Sequence, residues 1–229
     1  MTQVPGNAPK GSRKKKVLLV EDHPIVRQGL AEVINRSRDL SVCGEATTPK
    51  EALRLIPAVR PDLAIVDLSL GEENGLDLIK DLRVRHPELP VLVLSMHDES
   101  FYAERALRSG ARGYIMKREP VSVLRAAATQ VLAGDIYLSP HMSQRLLHTL
   151  ASGGKAVERS PEDRLSDREL DVFKLIGSGR GASDIAKQLH LSVKTIETYQ
   201  VRLKEKLGLG TANELFLYAL KWVTSQEAQ

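Results

Sequence analysis

The sequence is poor in cysteine and aromatic residues and has no long hydrophobic run. Its one cysteine, Cys43, permits no intramolecular disulfide, which excludes a disulfide-stapled scaffold and fits a reducing, cytoplasmic setting. Unbroken aliphatic runs such as Val17 to Val20 reach only four residues, against the roughly 20 needed to span a bilayer. Lys14-Lys15-Lys16 precede that run, but two acids follow it at once, so the apolar stretch is too short for a signal peptide. Membrane, disulfide-rich and fibrous classes are thereby excluded. Aromatics are only 4% of the residues, yet the 42% hydrophobic fraction of the 229-residue chain can supply a core for each of two small domains.

The formal net charge of +4 invites a nucleic-acid reading, but its distribution weakens that inference. Residues 1–16 hold five basic and no acidic groups, whereas 17–135 hold 15 basic and 18 acidic. The segment 163–229 is nearly balanced, with ten basic and nine acidic. The basic excess therefore sits in the N-terminal tail, where Pro5, Gly6, Pro9 and Gly11 give the composition of a disordered, solvated segment.

Between residues 17 and 135, short apolar runs alternate with helix-period segments. The runs are 17–21, 41–46, 62–67, 91–95 and 113–116; the helical candidates are 24–36, 49–56, 75–85, 100–109 and 121–133. Strands without polar alternation, each followed by a helix, indicate a parallel sheet covered on both faces. The expected fold is an α/β doubly wound five-stranded parallel sheet, with its ligand site at the carboxyl ends of the strands. Residues 163–222 show no strand pattern and read as four helices. Ser166 with Glu169 and Thr211 with Glu214 have capping-box spacing, and Gly208 after Leu207 is a helix stop. The expected organisation is a basic tail over 1–15, an α/β domain over 16–135, a linker over 136–162 with a short helix from Pro140 to Leu150, and a small all-α domain over 163–229.

Strand one ends in Glu21-Asp22, strand three in Asp67 and strand four in Ser95, while strand five runs into Lys117. The winding rule brings these ends to one edge of the sheet. Carboxylates gathered there repel one another unless a cation intervenes, and hard oxygen ligands suit Mg2+. A carboxylate relieved by metal and lysine can attack phosphorus, with metal, Lys117 and Ser95 sharing the transferred oxygens. Taken singly, Asp67 could be a helix cap and Lys117 a surface charge; it is the joint pattern at four strand ends that points to chemistry.

Val20-Glu21-Asp22-His23, Asp67-Leu68, Gly75-Leu76, Ser95-Met96-His97-Asp98 and Gly113-Tyr114-Ile115-Met116-Lys117 resemble the receiver domain of bacterial response regulators, which has the flavodoxin-like fold. The resemblance implies that Asp67 accepts phosphate from a sensor histidine kinase, that Asp22 ligates Mg2+ directly and Glu21 mostly through water, and that the backbone carbonyl of Ser69 completes the set. Ser95 and Tyr114 match the hydroxyl and aromatic positions that report phosphorylation. Two positions depart from the pattern. Gly71 stands where a proline is usual, which loosens the loop, and Arg118 replaces the common proline after Lys117, so a cis bond there would cost roughly 3 kcal/mol more. An aspartate-nucleophile phosphatase would carry a second acid two residues after Asp67. Ser69 stands there and has no suitable pKa for general acid work, so turnover of outside substrates is not expected, and slow loss of its own acyl phosphate is.

Leu165-Ser166-Asp167-Arg168-Glu169-Leu170, Asp184-Ile185-Ala186, Leu191-Ser192-Val193-Lys194-Thr195-Ile196 and Lys206-Leu207-Gly208 resemble the LuxR-type helix-turn-helix of the NarL/FixJ family. The family has a helix at about 182–189, a turn at His190-Leu191 and a recognition helix capped by Ser192. Over 193–207, Ile196, Tyr199 or Gln200, Leu203 and Leu207 recur at helical spacing as one buried face. The opposite face carries Lys194, Glu197, Thr198, Val201 and Glu205 and is free to enter a major groove. Thr195 lies in the first turn beside Lys194, and Lys187, Arg202, Lys204 and Lys206 flank the face within reach of phosphates. Gly181 stands where the family more often has Ser or Thr, a weaker cap by a few tenths of a kcal/mol. Met116, Met142 and the six histidines show no paired metal-ligand spacing and read as packing or surface residues.

The whole chain thus resembles a phosphorylation-controlled transcription factor. The resemblance implies promoter DNA, a histidine kinase, RNA polymerase and a second copy of the chain as partners, with no membrane. The competing expectation is a phosphorelay protein whose helical domain contacts protein instead of DNA.

Overall fold

The structure is a computed structural model that describes residues 13–71, 73–151, 161–189 and 191–227. The expected tail lies outside the described residues over 1–12, as does the linker over 152–160 and His190 of the expected turn. The chain divides into two compact units between Arg145 and Leu146.

The first unit runs β1 (Lys15–Val20), α1 (Pro24–Asn35), β2 (Leu40–Ala46), α2 (Pro49–Val59), β3 (Leu63–Val66), β4 (Ser69–Leu70), β5 (Glu73–Asn74), α3 (Gly75–Arg85), β6 (Val91–Ser95), α4 (Glu99–Ser109), β7 (Gly113–Met116), α5 (Val121–Leu132) and α6 (Pro140–Ala151), the last continuing past the boundary. Five strands pair in parallel in the order β2-β1-β3-β6-β7. β3, β6 and β7 are buried along their whole length, as the unbroken apolar runs require when helices cover both faces. Alternate residues serve opposite faces: Val17, Leu19, Ile65 and Leu94 pack with Ile34 of α1 and Leu124 of α5. Each such side chain removed from water contributes roughly 1.5–3 kcal/mol. Strand order reverses between β1 and β3, so their carboxyl ends flank the crevice where a doubly wound sheet binds ligands.

Three details differ from the expected elements. Helix α2 continues through Pro57 to Val59 and stops at Arg60 in a left-handed conformation, φ 48°. A proline in the last turn removes a single intrahelical bond, so the helix survives three residues beyond the expected end. The hairpin β4–β5 pairs Ser69 with Asn74 and is too short to show periodicity. Finally, the basic run is structural from Lys14 onward. Lys14 Nζ donates to Ser37 O at 2.8 Å beyond α1, and Lys16 Nζ donates to Val59 O at 3.0 Å, the last residue of α2.

The second unit holds α7 (Asp167–Gly177), α8 (Ala182–Gln188), α9 (Val193–Leu207) and α10 (Ala212–Glu227), preceded by a 3-10 turn, Pro161–Arg164. Ser166 and Glu169 form the expected capping box. Glu214 N–H donates to Thr211 Oγ1, and Glu214 Oε2 accepts from the Thr211 backbone. Gly208 closes α9 at φ 69°. Phe173 is the aromatic centre, with Trp222 edge-on at 5.4 Å and Tyr218 at 6.0 Å. Tyr218 donates to buried Glu162 at 2.6 Å, and burial together with that carboxylate pushes its pKa up to about 12. Among the described residues no helix is long and apolar enough to cross a membrane.

Candidate functional site

Glu21 and Asp22 follow β1 and Asp67 follows β3 because the parallel register carries Val20 beside Val66. The backbone then locks the three together: Glu21 N–H donates to Ala46 O and Asp67 N–H to Val20 O. Lys117 arrives from β7 with its own N–H bonded to Ser95 O at 2.8 Å. Glu21 and Asp67 are 2% and 3% exposed, which forces their charges to be answered inside the protein.

Lys117 answers both. Its Nζ lies 2.6 Å from Glu21 Oε2 and 2.8 Å from Asp67 Oδ2. Burial would lower the lysine pKa, but the two carboxylates outweigh it and raise it, so the ammonium stays charged. Burial pushes the Glu21 carboxyl up; the hydrogen bond from Lys117 opposes this and the charge of Asp67 adds to it. One ammonium among three acids leaves an anionic cleft. Two carboxylate oxygens within 4.8 Å of each other repel by about 3.5 kcal/mol or more at an effective dielectric of 20, so the cleft favours a cation.

The donor set fits one. Glu21, Asp22, His23 and Asp67 each present a ligand atom, all within 4.8 Å of one another. Asp22 Oδ1 and Asp67 Oδ1 are buried oxygens with no hydrogen-bond partner, the type of oxygen that a hard cation satisfies. His23, like the other histidines, was expected to be a packing or surface residue; its side chain is 55% exposed, yet its Nδ1 lies 2.8 Å from Asp22 Oδ1, though not in hydrogen-bonding geometry. It therefore joins the acidic cluster.

The loop after Asp67 is shaped by close approach. A Cβ on Gly75 would lie 2.2 Å from Asp67 O, so only glycine permits α3 to start there. Gly71, at φ 62°, donates its N–H to Asp22 Oδ2 at 2.9 Å. A proline could neither reach that φ nor make that bond, so the glycine adds a contact to the loop that sequence reading took only for looseness. Lys117–Arg118 is trans, since no described peptide bond is cis. Ser95 is fully buried and its Oγ accepts from His97 N–H at 3.2 Å; the Tyr114 hydroxyl, also buried, donates to His97 O at 2.9 Å. Ser69 Oγ meets His97 Nε2 at 2.9 Å, and that ring stacks on Tyr102 at 4.6 Å. His97 thus links both expected switch residues to Ser69, a role that no sequence spacing announced.

In the second unit, Ile196 and Leu203 are fully buried and Tyr199, Gln200 and Leu207 half-buried, while Lys194, Glu197, Thr198, Val201 and Glu205 are exposed. The division of α9 into two faces is as expected. Ser192 caps the helix, its Oγ accepting from Thr195 N–H at 3.0 Å and lying 2.8 Å from Thr195 Oγ1. The Thr198 hydroxyl donates to Lys194 O at 2.9 Å, so its hydrogen is engaged by the helix backbone. Lys187 and Arg202 are exposed and Lys204 half-buried. Lys206 differs from expectation: its Nζ lies 2.6 Å from Glu169 Oε2, so it is engaged inside the domain and is not a free phosphate contact.

Known proteins resemble both units. The family model described as the response regulator receiver domain matches residues 17–129, and that of bacterial regulatory proteins, luxR family, matches 163–219. The oxygen regulatory protein NreC of Staphylococcus carnosus is 35% identical over 210 residues, covering 90% of this chain and 97% of that protein. A LuxR-family two-component response regulator from Aurantimonas sp. SI85-9A1 is 32% identical with a TM-score of 0.57, over 61% of this chain and 99% of that one. RcsB of Salmonella enterica serovar Typhimurium, solved bound to promoter rprA with the phosphomimetic BeF3-, is 26% identical with a TM-score of 0.56, over 90% of this chain and 98% of that one. With an acidic receiver cleft, a capped helix-turn-helix and relatives matching along nearly their whole length, the chain belongs to the NarL/FixJ family of two-component response regulators, which join a receiver domain to a LuxR-type DNA-binding domain.

Proposed function

We propose that Asp67 accepts a phosphoryl group from a cognate sensor histidine kinase, in a Mg2+-dependent reaction that controls promoter binding by α9. The observation that carries this is the asymmetry of the Asp67 carboxylate: Oδ2 is held by Lys117, and Oδ1 is buried without a donor. A buried carboxylate held by one ammonium and open on its other oxygen can both bind a cation and attack phosphorus. In the transfer, one oxygen of the Asp67 carboxylate forms the O–P bond as the P–N bond of the kinase's phosphohistidine breaks, and the imidazole nitrogen keeps the electron pair. Lys117 offsets charge on the acyl phosphate as it forms.

Asp22, Asp67 and the Ser69 carbonyl would hold the metal. Glu21 would act through water, since both its oxygens already accept, from Lys117 and from His23 N–H. When bound, Mg2+ would supply charge neutralisation for the transferring phosphoryl group. The Ser95 hydroxyl then exchanges its His97 bond for a phosphoryl oxygen, and Tyr114 follows, biasing the receiver between two states; a ligand shifts such an equilibrium only by its differential affinity for them. The released second domain dimerises and lays α9 in the major groove. Glu197, Thr198 and Val201 face the bases there, Lys194 and Thr195 fix the backbone register, and Lys187, Arg202 and Lys204 face phosphates. That RcsB is solved on promoter DNA supports this. RNA polymerase is the further partner at the promoter, and the protein acts in the cytoplasm as a phosphoacceptor with at most slow loss of its own acyl phosphate.

The test is incubation of the full chain with Mg2+ and acetyl phosphate. One hydroxylamine-labile phosphoryl group on Asp67 is expected, absent from Asp67→Asn; equal labelling of that variant refutes the assignment. A gel shift on promoter fragments at rising salt should show binding that weakens steeply as counterions compete. Absence of any shift favours the protein-binding alternative.

A further inference from the structure

We propose that Arg27 is a positioning residue for the metal-ligand carboxylate Asp22. This rests on the metal-site reading above. Arg27 lies in the first turns of α1, and its guanidinium turns back over the chain that precedes the helix. Nη1 donates to Glu21 O at 2.9 Å and approaches Asp22 O at 3.5 Å, while Nε donates to Glu45 Oε2 at 3.2 Å. Glu45 stands on β2, beside Leu19 in the parallel register, so the arginine is itself anchored to the sheet. Its side chain is only 17% exposed.

The consequence follows from the backbone. Glu21 N–H is fixed by Ala46 O and Glu21 O by Arg27, so the peptide planes on both sides of Glu21 are held. With the 21–22 plane fixed, the direction in which Asp22 leaves the chain is set. The Gly71 N–H then grips Asp22 Oδ2 at 2.9 Å, leaving Oδ1 buried within the cluster of Glu21, Asp22, His23 and Asp67. Left unbraced, a carboxylate facing two others would rotate toward water, which its partial exposure permits. Groups outside a metal's ligand set that fix a ligand's orientation typically alter metal affinity by about 10–100-fold.

Charge and geometry make opposite predictions, which gives the test its sign. As a charge, Arg27 repels Mg2+, and removing it should tighten binding. As a positioning group, its removal should weaken binding. Calorimetric titration of the full-length chain with MgCl2 is expected to show Arg27→Gln binding about tenfold more weakly than the parent. Arg27→Lys, which keeps the charge but loses the fork, should fall in between. Glu45→Gln, which loosens the anchor from a 43% exposed position, should weaken binding in the same direction by less. Because loss of its charge acts in that direction too, the charge-conserving Arg27→Lys carries the test if Arg27→Gln lowers the melting temperature. Equal or tighter binding by Arg27→Gln and Arg27→Lys, with Asp22→Ala binding none, overturns the proposal and leaves the metal site standing. No saturable binding by the parent, or binding that survives Asp22→Ala, overturns the metal site and the proposal with it.

Discussion

Lys206, in the last turn of α9, donates to Glu169 Oε2 at 2.6 Å, and the same oxygen accepts from the Ser166 N–H and hydroxyl at the head of α7. One buried carboxylate therefore joins the cap of the first helix of the DNA-binding domain to the far end of the recognition helix. Burial would raise the Glu169 pKa, but the bonds from Lys206 and Ser166 outweigh it and hold it below the usual carboxylate range.

That direction sets a pH dependence. A carboxyl depressed by folding contributes stability that is fully present above its unfolded pKa, about 4.3, and is lost as pH falls through the lower folded value. Glu169→Gln should lower the stability of the helical unit by about 2 kcal/mol at neutral pH, below the usual cost of breaking a fully buried pair because Lys206 is 40% exposed. The gap from the parent should close below pH 4. The fluorescence of Trp222, the single tryptophan, packed on Phe173, reports this unit during urea unfolding. A constant gap from pH 7 to pH 3 would contradict the linkage.

The same bond separates the lysines of α9 in their effect on DNA. Lys194→Ala should weaken binding to all sequences alike and reduce the slope of log affinity against log salt by about one. Lys206→Ala should leave that slope unchanged. Titrations at several salt concentrations compare the two.

Glu197 should act through specificity. A glutamate on the groove face accepts from the cytosine amino group and repels phosphate, so Glu197→Ala should relax one base position per half-site by about 1–3 kcal/mol of discrimination. Site selection from random duplexes reads this directly; an unchanged motif would make Glu197 a solvated helix-face charge.

Gly75 and Gly29 should respond oppositely to alanine. The Gly75→Ala methyl would meet backbone at 2.2 Å and should cost at least 1–3 kcal/mol, with impaired labelling of Asp67, because α3 begins against that residue. Gly29, inside α1, has nothing within 4 Å of its Cβ position, so Gly29→Ala should stabilise by about 0.5–1 kcal/mol. Thermal unfolding checks both signs.

Tyr114→Phe should retain Asp67 labelling, since the hydroxyl donates to His97 O and not to the acceptor. It should cost about 1 kcal/mol of stability and shrink the change in DNA affinity on phosphorylation. An unaltered response would remove Tyr114 from the switch.

The alternation of apolar runs with helical periods, the convergence of Glu21, Asp22, Asp67, Ser95 and Lys117 at the strand ends, and the two faces of α9 were all legible in the sequence. They are consequences of local periodicity combined with one topological rule, and both are written in residue order. The extension of α2 past Pro57 was not legible, because local propensity marks a proline as a stop, whereas in the last turn it removes only one intrahelical bond. The roles of His97 and Arg27 gave no signal either: the histidine read as a packing or surface residue, and no spacing marked the arginine, until their partners were known.

Sequence alone determined which residue types reach the cleft and which face of the recognition helix stays bare. Tertiary structure decided which oxygen of each carboxylate is free. Gly71 takes one oxygen of Asp22, Lys117 takes one of Asp67, and both oxygens of Glu21 are occupied. It also withdrew Lys206 from the lysines available to phosphate by giving it to Glu169. The physical reason is range. Periodicity and capping act over a few residues, whereas a hydrogen bond between positions 22 and 71, or 169 and 206, exists only after the chain has closed and depends on distances of a few tenths of an ångström.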